Sequence, residues 1–176
     1  MIVKITLDQE LFDDKTLEEM KKIAYKIIMI KFRDKVIGNE YVAYINKTSA
    51  KKYTNPFKSI DKDIVKSKMR ASPELDKLME SAVFIKHEDD DGRHPKAIGG
   101  WDYYEVKFNI LDIDFSAVIN VMNTDKGSIF YDITKIRNIS AVHQMSVDNN
   151  PHARYRTETS LDNNLTNNDE NVNMKK

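Results

Sequence analysis

The sequence predicts an α+β protein in which N-terminal helices pack on an antiparallel sheet of about four strands. One observation behind this prediction is the segment "TLEE" at residues 16–19, which has the spacing of a capping box and precedes apolar residues at helical intervals. The other is a series of period-two segments between residues 103 and 137. Their short connections are typical of an antiparallel meander.

The N-terminal third of the chain combines short strand signals with one long helix. Residues 2–6 (IVKIT) predict a strand, and the helix that follows Thr16 is predicted to run to about Lys35. Residues 41–46 (YVAYIN) predict another strand. The segment "KTSAKKYTNPFKS" is polar and basic and is interrupted by Pro56, so it predicts a loop or a short helical turn.

The middle of the chain predicts two short helices, at residues 60–70 and 73–80, and then a strand at 81–87 that leads into a loop at 88–100. Three more strands are predicted, at residues 103–110, 115–122 and 129–137. Residues 1–140 are therefore predicted to form a single domain. The remaining residues, 141–176, are rich in Asn and Asp with almost nothing to bury, and they predict a largely disordered tail or linker.

The composition excludes several classes of protein. Lys and Arg together equal Asp and Glu at 28 each, so attraction of the whole molecule to a polyanion is not expected, although local basic patches remain open. The absence of cysteine excludes a disulfide scaffold, a thiolate metal site and a cysteine nucleophile. No apolar run approaches the roughly 20 residues that span a bilayer, and we predict a cytoplasmic protein without a membrane segment.

The stretch "IKHEDDDGRHPKAIGGWDYYEVKF", residues 85–108, concentrates residue types that carry chemistry. His87 ends a predicted strand, and His94 lies in the following loop beside Arg93. Histidine exchanges protons near neutral pH without a large pKa shift, so the two imidazoles are candidates for a general base and acid, and Arg93 for a phosphate clamp. The alternative is an exposed hairpin tip, where polar side chains are common.

No metal and no cofactor are predicted for this loop. Asp89, Asp90 and Asp91 are adjacent, whereas a calcium loop needs oxygen ligands at alternating positions. A solvated acidic tip is the better interpretation. His87 and His94 do not have the common zinc spacings either.

The open face of the predicted sheet is a second candidate surface. Alternation puts Tyr103 and Lys107 opposite the apolar row of their strand, and Asp132 and Thr134 join them if the isoleucines of the last strand face the helices. A concave face with Lys, Thr and Tyr beside a His is typical of metal-independent RNA cleavage, but a solvated face without function has the same pattern. We predict that this face and the loop 88–100 form one site.

Basic and aromatic residues are interleaved in the segment after the strand at 41–46. Lys47, Lys51 and Lys52 with Tyr53 suit single-stranded nucleic acid, and Trp101, the only tryptophan, is added to this substrate-binding set. A charged surface loop is the alternative interpretation.

The run from Ser81 to Arg137 resembles a family of large polyvalent protein-associated domains that phages and prophages encode. The resemblance depends on an apolar helix before the strand, on the segments "GRHP" and "WDYYEV", on the short "DID" turn and on the closing "FYDIT". It covers roughly residues 40–140. This family is similar to the barnase–EndoU–colicin–RelE-like nucleases, which implies a barnase/RelE-like fold and metal-independent RNA cleavage.

The implied reaction is attack of a ribose 2′-oxygen on the adjacent phosphate, with a base, an acid and stabilising cations. The positions that fall within the matching motifs are His87, Arg93, His94, Tyr103, Lys107, Tyr131 and Thr134. The implied partners are RNA, including tRNA, and an immunity protein or a larger phage polyprotein. The implied location is the cytoplasm of the host cell, with delivery in the phage particle as one route.

Two other functions stay open at this point. The chain could be a non-catalytic phage accessory module that binds a host protein or RNA, which the neutral net charge favours slightly. It could also be an ADP-ribosyltransferase. We rank that function last, because Glu105 is the only acidic candidate near a strand end.

Overall fold

The computed structural model describes residues 2–5, 9–38, 43–56 and 60–140, and the predicted tail lies outside these residues. The helices are α1 (Gln9–Phe12), α2 (Leu17–Lys31), α3 (Lys47–Thr54), α4 (Lys62–Ala71) and α5 (Leu75–Ser81), with a 3-10 turn at Ser72–Glu74. The strands are β1 (Ile2–Lys4), β2 (Val36–Ile37), β3 (Ala43–Tyr44), β4 (Val83–Glu88), β5 (Trp101–Ile110), β6 (Ile113–Thr124) and β7 (Gly127–Asn138).

Within the described ranges, seven strands form one mixed sheet in the order β1-β5-β6-β7-β3-β2, and β4 also pairs with β5. Strand β1 is parallel to β5, and β3 is parallel to β7. The α+β class is confirmed. The prediction of about four antiparallel strands under N-terminal helices, in a barnase/RelE-like arrangement, is wrong. Helices and short strands alternate along the first half of the chain, and strands of two or three residues carry too little periodicity to predict their partners.

Helices α2 and α3 begin at side-chain caps. Thr16 and Glu19 form the predicted capping box, in which the Glu19 carboxylate accepts a hydrogen bond from the Thr16 backbone N–H at 2.8 Å. A second cap was not predicted. The Asn46 side-chain oxygen accepts from the Ser49 backbone N–H at 2.9 Å, and this cap starts α3 where a loop or a short turn was predicted.

The short turns that join β5 to β6 and β6 to β7 have backbone conformations that suit tight hairpins. Leu111 and Asp112 join β5 to β6 with φ of 51° and 62°, and two consecutive positive values are typical of a type I′ turn. Gly127, at φ 112°, begins β7 after the next turn. These turns hold β5, β6 and β7 in a nearly continuous antiparallel register.

The helices cover one face of the sheet, here called the helix face. Its core includes Tyr104, Val106 and Phe108 of β5 together with apolar residues of α2, α4 and α5. The opposite face, here called the open face, carries a smaller buried cluster of Ala97, Trp101, Met122 and Ile129, with Tyr44, Tyr103 and Tyr131 partly buried against it. No helix in the described part of the chain is long and apolar enough to cross a membrane.

A β-bulge changes the alternation that the sequence predicts for β7. The register between β6 and β7 shifts after Asn120, and Asp132 and Ile133 are both buried. Asp132 binds Lys68 of α4 at 2.5 Å, so it lies on the helix face and the prediction that it joins the open face is wrong. A bulge inserts one residue into a strand and reverses the faces beyond it.

Candidate functional site

The loop between β4 and β5 is built around the carboxylate of Asp90. One oxygen accepts a hydrogen bond from the Trp101 indole N–H at 2.9 Å. The other accepts from the backbone N–H groups of Gly92 at 2.9 Å and His94 at 3.1 Å. Hydrogen bonding, chiefly from the indole of Trp101, lowers the pKa of Asp90. A single side chain therefore fixes the loop to the first residue of β5.

His94 lies on the open face against two aromatic rings. Its ring centroid is 5.0 Å from that of Trp101 and 5.9 Å from that of Tyr131, both in edge-to-face contact. Trp101 and Tyr131 contact each other edge to face at 4.9 Å. Such T-shaped contacts are favourable for aromatic side chains, and they hold an exposed imidazole on a mostly buried indole.

A lysine reaches the same group from α3. The Lys52 ammonium is 5.5 Å from the centroid of the Tyr131 ring, within the range of a cation–π interaction. We call His94, Trp101, Tyr131 and Lys52 the aromatic site. Its members come from the loop, β5, β7 and α3.

A cavity of about 530 Å³ adjoins the aromatic site. Its lining comprises Glu88, Asp89, Asp90, Asp91, Arg93, His94, Trp101, Tyr103 and Asn120. The Thr134 hydroxyl donates to the side-chain oxygen of Asn120 at 3.3 Å, which places the predicted Thr134 beside this cavity. The predicted loop, Tyr103 and Thr134 are therefore brought together.

The charges around the cavity are mostly paired. Arg93 donates from Nε to Asp91 at 2.6 Å, and this contact lowers the pKa of Asp91. Glu88 binds Lys86, which lowers the pKa of Glu88. The predicted solvated acidic tip applies to Asp89, whose side chain is fully exposed. The guanidinium of Arg93, predicted as a phosphate clamp, already has a carboxylate partner.

Tyr103 forms part of the cavity wall and has a perturbed hydroxyl. Partial burial, followed by a hydrogen bond to Glu88, raises the pKa of Tyr103. The Lys86 ammonium lies 5.3 Å from the centroid of its ring.

His87 lies on the other face of the sheet. It pairs with Asp102 across β4 and β5, and its Nδ1 is 2.7 Å from an Asp102 carboxylate oxygen. The second Asp102 oxygen accepts from the Asn123 amide at 2.8 Å, and Ser128 donates to the Asn123 oxygen at 2.6 Å. The hydrogen bond to Asp102 raises the pKa of His87. His87 and His94 are therefore not brought together.

The two glycines before Trp101 allow the loop to approach β4 and β6 closely. Gly100 has φ 72°, and a Cβ there would be 2.4 Å from the Glu88 carbonyl oxygen and 2.9 Å from the His87 ring. A Cβ on Gly99 would be 2.9 Å from the Asn123 Cβ. Real Cβ atoms do not approach so closely, so both positions require glycine.

Four other predicted residues are not members of the aromatic site. Lys107 is exposed near the far end of β5, about 20 Å from Trp101 at ~3.3 Å per residue. Lys47 and Lys51 are exposed on α3. Tyr53 is 0% exposed, and its hydroxyl donates to the Lys68 carbonyl. It cannot stack on a nucleic acid, which corrects its place in the substrate-binding set.

The sequence-based prediction did not find Asp90, Asp102 or Asn120. Asp90 was assigned to a solvated tip, although an aspartate two residues before a glycine is a common turn former. Asp102 and Asn120 could be recognised only after the strands were paired. For the described residues, no group of three or more His, Asp or Glu side chains could hold a metal ion.

Comparisons with protein-family models, with curated proteins and with solved structures found no match. A functional assignment therefore depends on the chemistry of the residues themselves.

Proposed function

We propose that the protein is a metal-independent ribonuclease whose working surface is the open face. The observation that carries this proposal is the aromatic site, in which an exposed imidazole, an ammonium group and two aromatic rings converge from four separate segments. Attack of a 2′-oxygen on a phosphate needs a group that removes the 2′ proton and a cation that stabilises the charge on the phosphate, and both are present at the aromatic site.

The residues of the open face suit three roles in that reaction. His94 removes the proton from the 2′-oxygen as general base. Lys52 stabilises the negative charge that builds on the phosphate oxygens. Tyr103, whose ring lines the cavity, protonates the leaving 5′-oxygen from its phenol O–H. Trp101 is 8% exposed, so its ring supports the His94 imidazole and offers little surface on which a nucleobase could stack.

The matched test uses residues of the same type inside and outside the aromatic site. Purified protein is incubated with total RNA and with tRNA in EDTA, and the products are separated on a gel. His94→Gln and Lys52→Met should each lower the cleavage rate by about a hundredfold or more, the usual scale for such groups. His87→Gln and Lys107→Met are the controls and should stay within a few-fold of the parent. Failure of the parent to cleave any RNA would refute the proposal, as would equal losses in the controls.

The proposal extends to the setting of the reaction. The partners would be RNA and an immunity protein or a larger phage polyprotein, and the site of action would be the cytoplasm of the host cell. The resemblance to the phage polyvalent protein-associated domains supports this part. Toxicity on expression, relieved by His94→Gln and not by His87→Gln, is its expected sign.

A second candidate function is a non-catalytic module that binds a protein partner. The specific observation in its favour is that four consecutive carboxylates, from residues 88 to 91, line the cavity. An anionic rim attracts a basic segment and disfavours a phosphate backbone. Fluorescence anisotropy would separate the two functions, since this candidate binds a lysine-rich peptide more tightly than an RNA oligonucleotide and cleaves neither.

A further inference from the structure

We infer that Asp90 is a positioning residue that holds the His94 imidazole against Trp101, so that the general base keeps one orientation on the open face. This inference rests on the proposed ribonuclease function for its consequence in catalysis. Its structural part can be tested without RNA.

Asp90 acts on both sides of the contact between His94 and Trp101. One carboxylate oxygen accepts from the indole N–H of Trp101 at 2.9 Å, and the other accepts from the backbone N–H of His94 at 3.1 Å. The same carboxylate therefore connects the backbone of the histidine to the ring on which its imidazole lies. The centroids of the two rings are 5.0 Å apart.

The neighbouring residues reduce the freedom of the loop but do not fix the imidazole by themselves. Gly92 adopts φ 88° and turns its N–H toward Asp90 at 2.9 Å. Pro95 restricts His94 to extended backbone conformations. The loop then closes through the N–H of Ala97, which donates to the His94 carbonyl at 2.8 Å. None of these contacts reaches the indole, so the connection to Trp101 depends on Asp90.

The chemistry requires a carboxylate at this position. All three partners of Asp90 are N–H donors, and a carboxylate accepts on both oxygens. An asparagine of the same shape has only one acceptor oxygen, so its amide N–H₂ would face either the indole N–H or the two backbone N–H groups. Asp90→Asn therefore breaks the connection while it changes the volume of the side chain very little.

Asp91 provides a matched control in the same loop. Its carboxylate binds the Arg93 side chain at 2.6 Å and the Arg93 backbone N–H at 3.2 Å. No hydrogen bond between Asp91 and His94 or Trp101 is found among the described residues. Asp91→Asn changes the charge by the same amount as Asp90→Asn, at the adjacent position, without the predicted effect on His94.

The test uses the fact that Trp101 is the only tryptophan of the chain. A protonated imidazole quenches a neighbouring indole, so the fluorescence of the parent should fall on acidification. His94→Gln should abolish this change and His87→Gln should preserve it. Asp90→Asn should abolish it and Asp91→Asn should preserve it. A merely structural role for Asp90 would not remove a pH-dependent signal from a folded protein.

The consequence for catalysis is measured on the same four variants. Asp90→Asn should lower kcat for RNA cleavage by about tenfold to a hundredfold with little change in KM, because a misplaced catalytic group slows the reaction more than it weakens binding. Should Asp90→Asn fail to fold by circular dichroism, Asp90→Glu keeps the charge but displaces the carboxylate, and it should show the same loss of the fluorescence change.

The outcomes distinguish this inference from the proposed function. If the parent cleaves no RNA, the proposed ribonuclease function is refuted. If Asp90→Asn nevertheless abolishes the pH-dependent fluorescence that the parent shows, the positioning role remains intact. A folded Asp90→Asn, or Asp90→Glu in its place, that keeps the fluorescence change of the parent would overturn the positioning role. An equal loss of the pH-dependent fluorescence in Asp91→Asn would also overturn the positioning role.

Discussion

Replacing Lys68 by methionine should destabilise the protein strongly, because it leaves a buried carboxylate without its partner. Lys68 on α4 binds Asp132 on β7 at 2.5 Å, and the two side chains are 4% and 8% exposed. The ammonium also lies 4.8 Å from the centroid of the Tyr53 ring. Among the described residues, the backbone N–H of Ile133 then remains as a hydrogen-bond donor to Asp132, at 2.8 Å.

The size of the effect follows from the cost of an unpaired buried charge. Loss of one partner of such a pair costs about 3–5 kcal/mol, which corresponds to a fall in Tm of roughly 6–20 °C for a chain of this size. Burial is the largest cause of both pKa shifts, lowering the pKa of Lys68 and raising that of Asp132. Removing water from two buried charges offsets much of the attraction between them. The double variant Lys68→Met/Asp132→Leu should recover most of the lost stability or exceed the parent.

The assay is chemical denaturation of the parent, the two single variants and the double variant. The free energies of unfolding should be strongly non-additive, because the two sites share one interaction. Losses that simply add in the double variant would refute the reasoning, since the cost would then come from packing and not from an unpaired charge.

The pH dependence of Lys68→Met gives a second check with a defined sign. Without the ammonium, the pKa of Asp132 in the folded state is raised above its value of about 3.9 in the unfolded chain. The folded state then binds the proton more tightly. The destabilisation relative to the parent should therefore shrink as the pH falls through the folded pKa, and it should be smallest below the unfolded value. A difference that grows on acidification would contradict this account.

Three other changes test the loops and the second histidine. Gly100→Ala should lower Tm more than Gly92→Ala does, because both positions have positive φ but only a Cβ at Gly100 meets neighbouring atoms within 4 Å; equal losses would show that backbone strain alone matters. The contact of His87 with Asp102 stabilises the parent fully below pH 6.5, and this stabilisation is lost as the pH rises through the raised pKa of His87. His87→Gln should remove it, so the Tm values of the parent and the variant should converge at alkaline pH. Leu111→Asn with Asp112→Gly should raise Tm by about 2–4 °C, since these residues suit the positive φ of a type I′ turn better; an unchanged Tm would mean that the leucine makes a compensating contact.

The sequence predicts the long strands well because their signal is local. The predicted segments at residues 103–110, 115–122 and 129–137 fall inside β5, β6 and β7, and each contains enough alternating residues to be recognised alone. The capping box at Thr16 is local in the same sense. Strands β1 and β3 were also predicted as segments, but their parallel pairing with β5 and β7 depends on contacts between distant parts of the chain.

The candidate site was harder to predict, because it depends on which face each residue occupies. Ile129 packs in the cluster of the open face and Ile133 in the core of the helix face, because a bulge interrupts the alternation between them. The prediction for Asp132 assumed that both isoleucines face the helices. Lys52 reaches Tyr131 because its segment is a helix, and the sequence predicted a loop or a short turn there. Two of the predicted aromatic partners, Trp101 and Tyr131, come together only through the pairing of β5, β6 and β7.

The position of the two histidines limits the mechanisms that the open face can support. Trp101 and Asp102 are consecutive in β5, so the strand presents one to each face, and each holds a different imidazole. His87 therefore cannot act with His94 as the acid and base of one phosphate transfer. In the proposed reaction the second proton-transfer group would come from the open face, where the Tyr103 ring lines the cavity beside His94. On this argument Tyr103→Phe should slow RNA cleavage, whereas loss of His87 should act on stability alone.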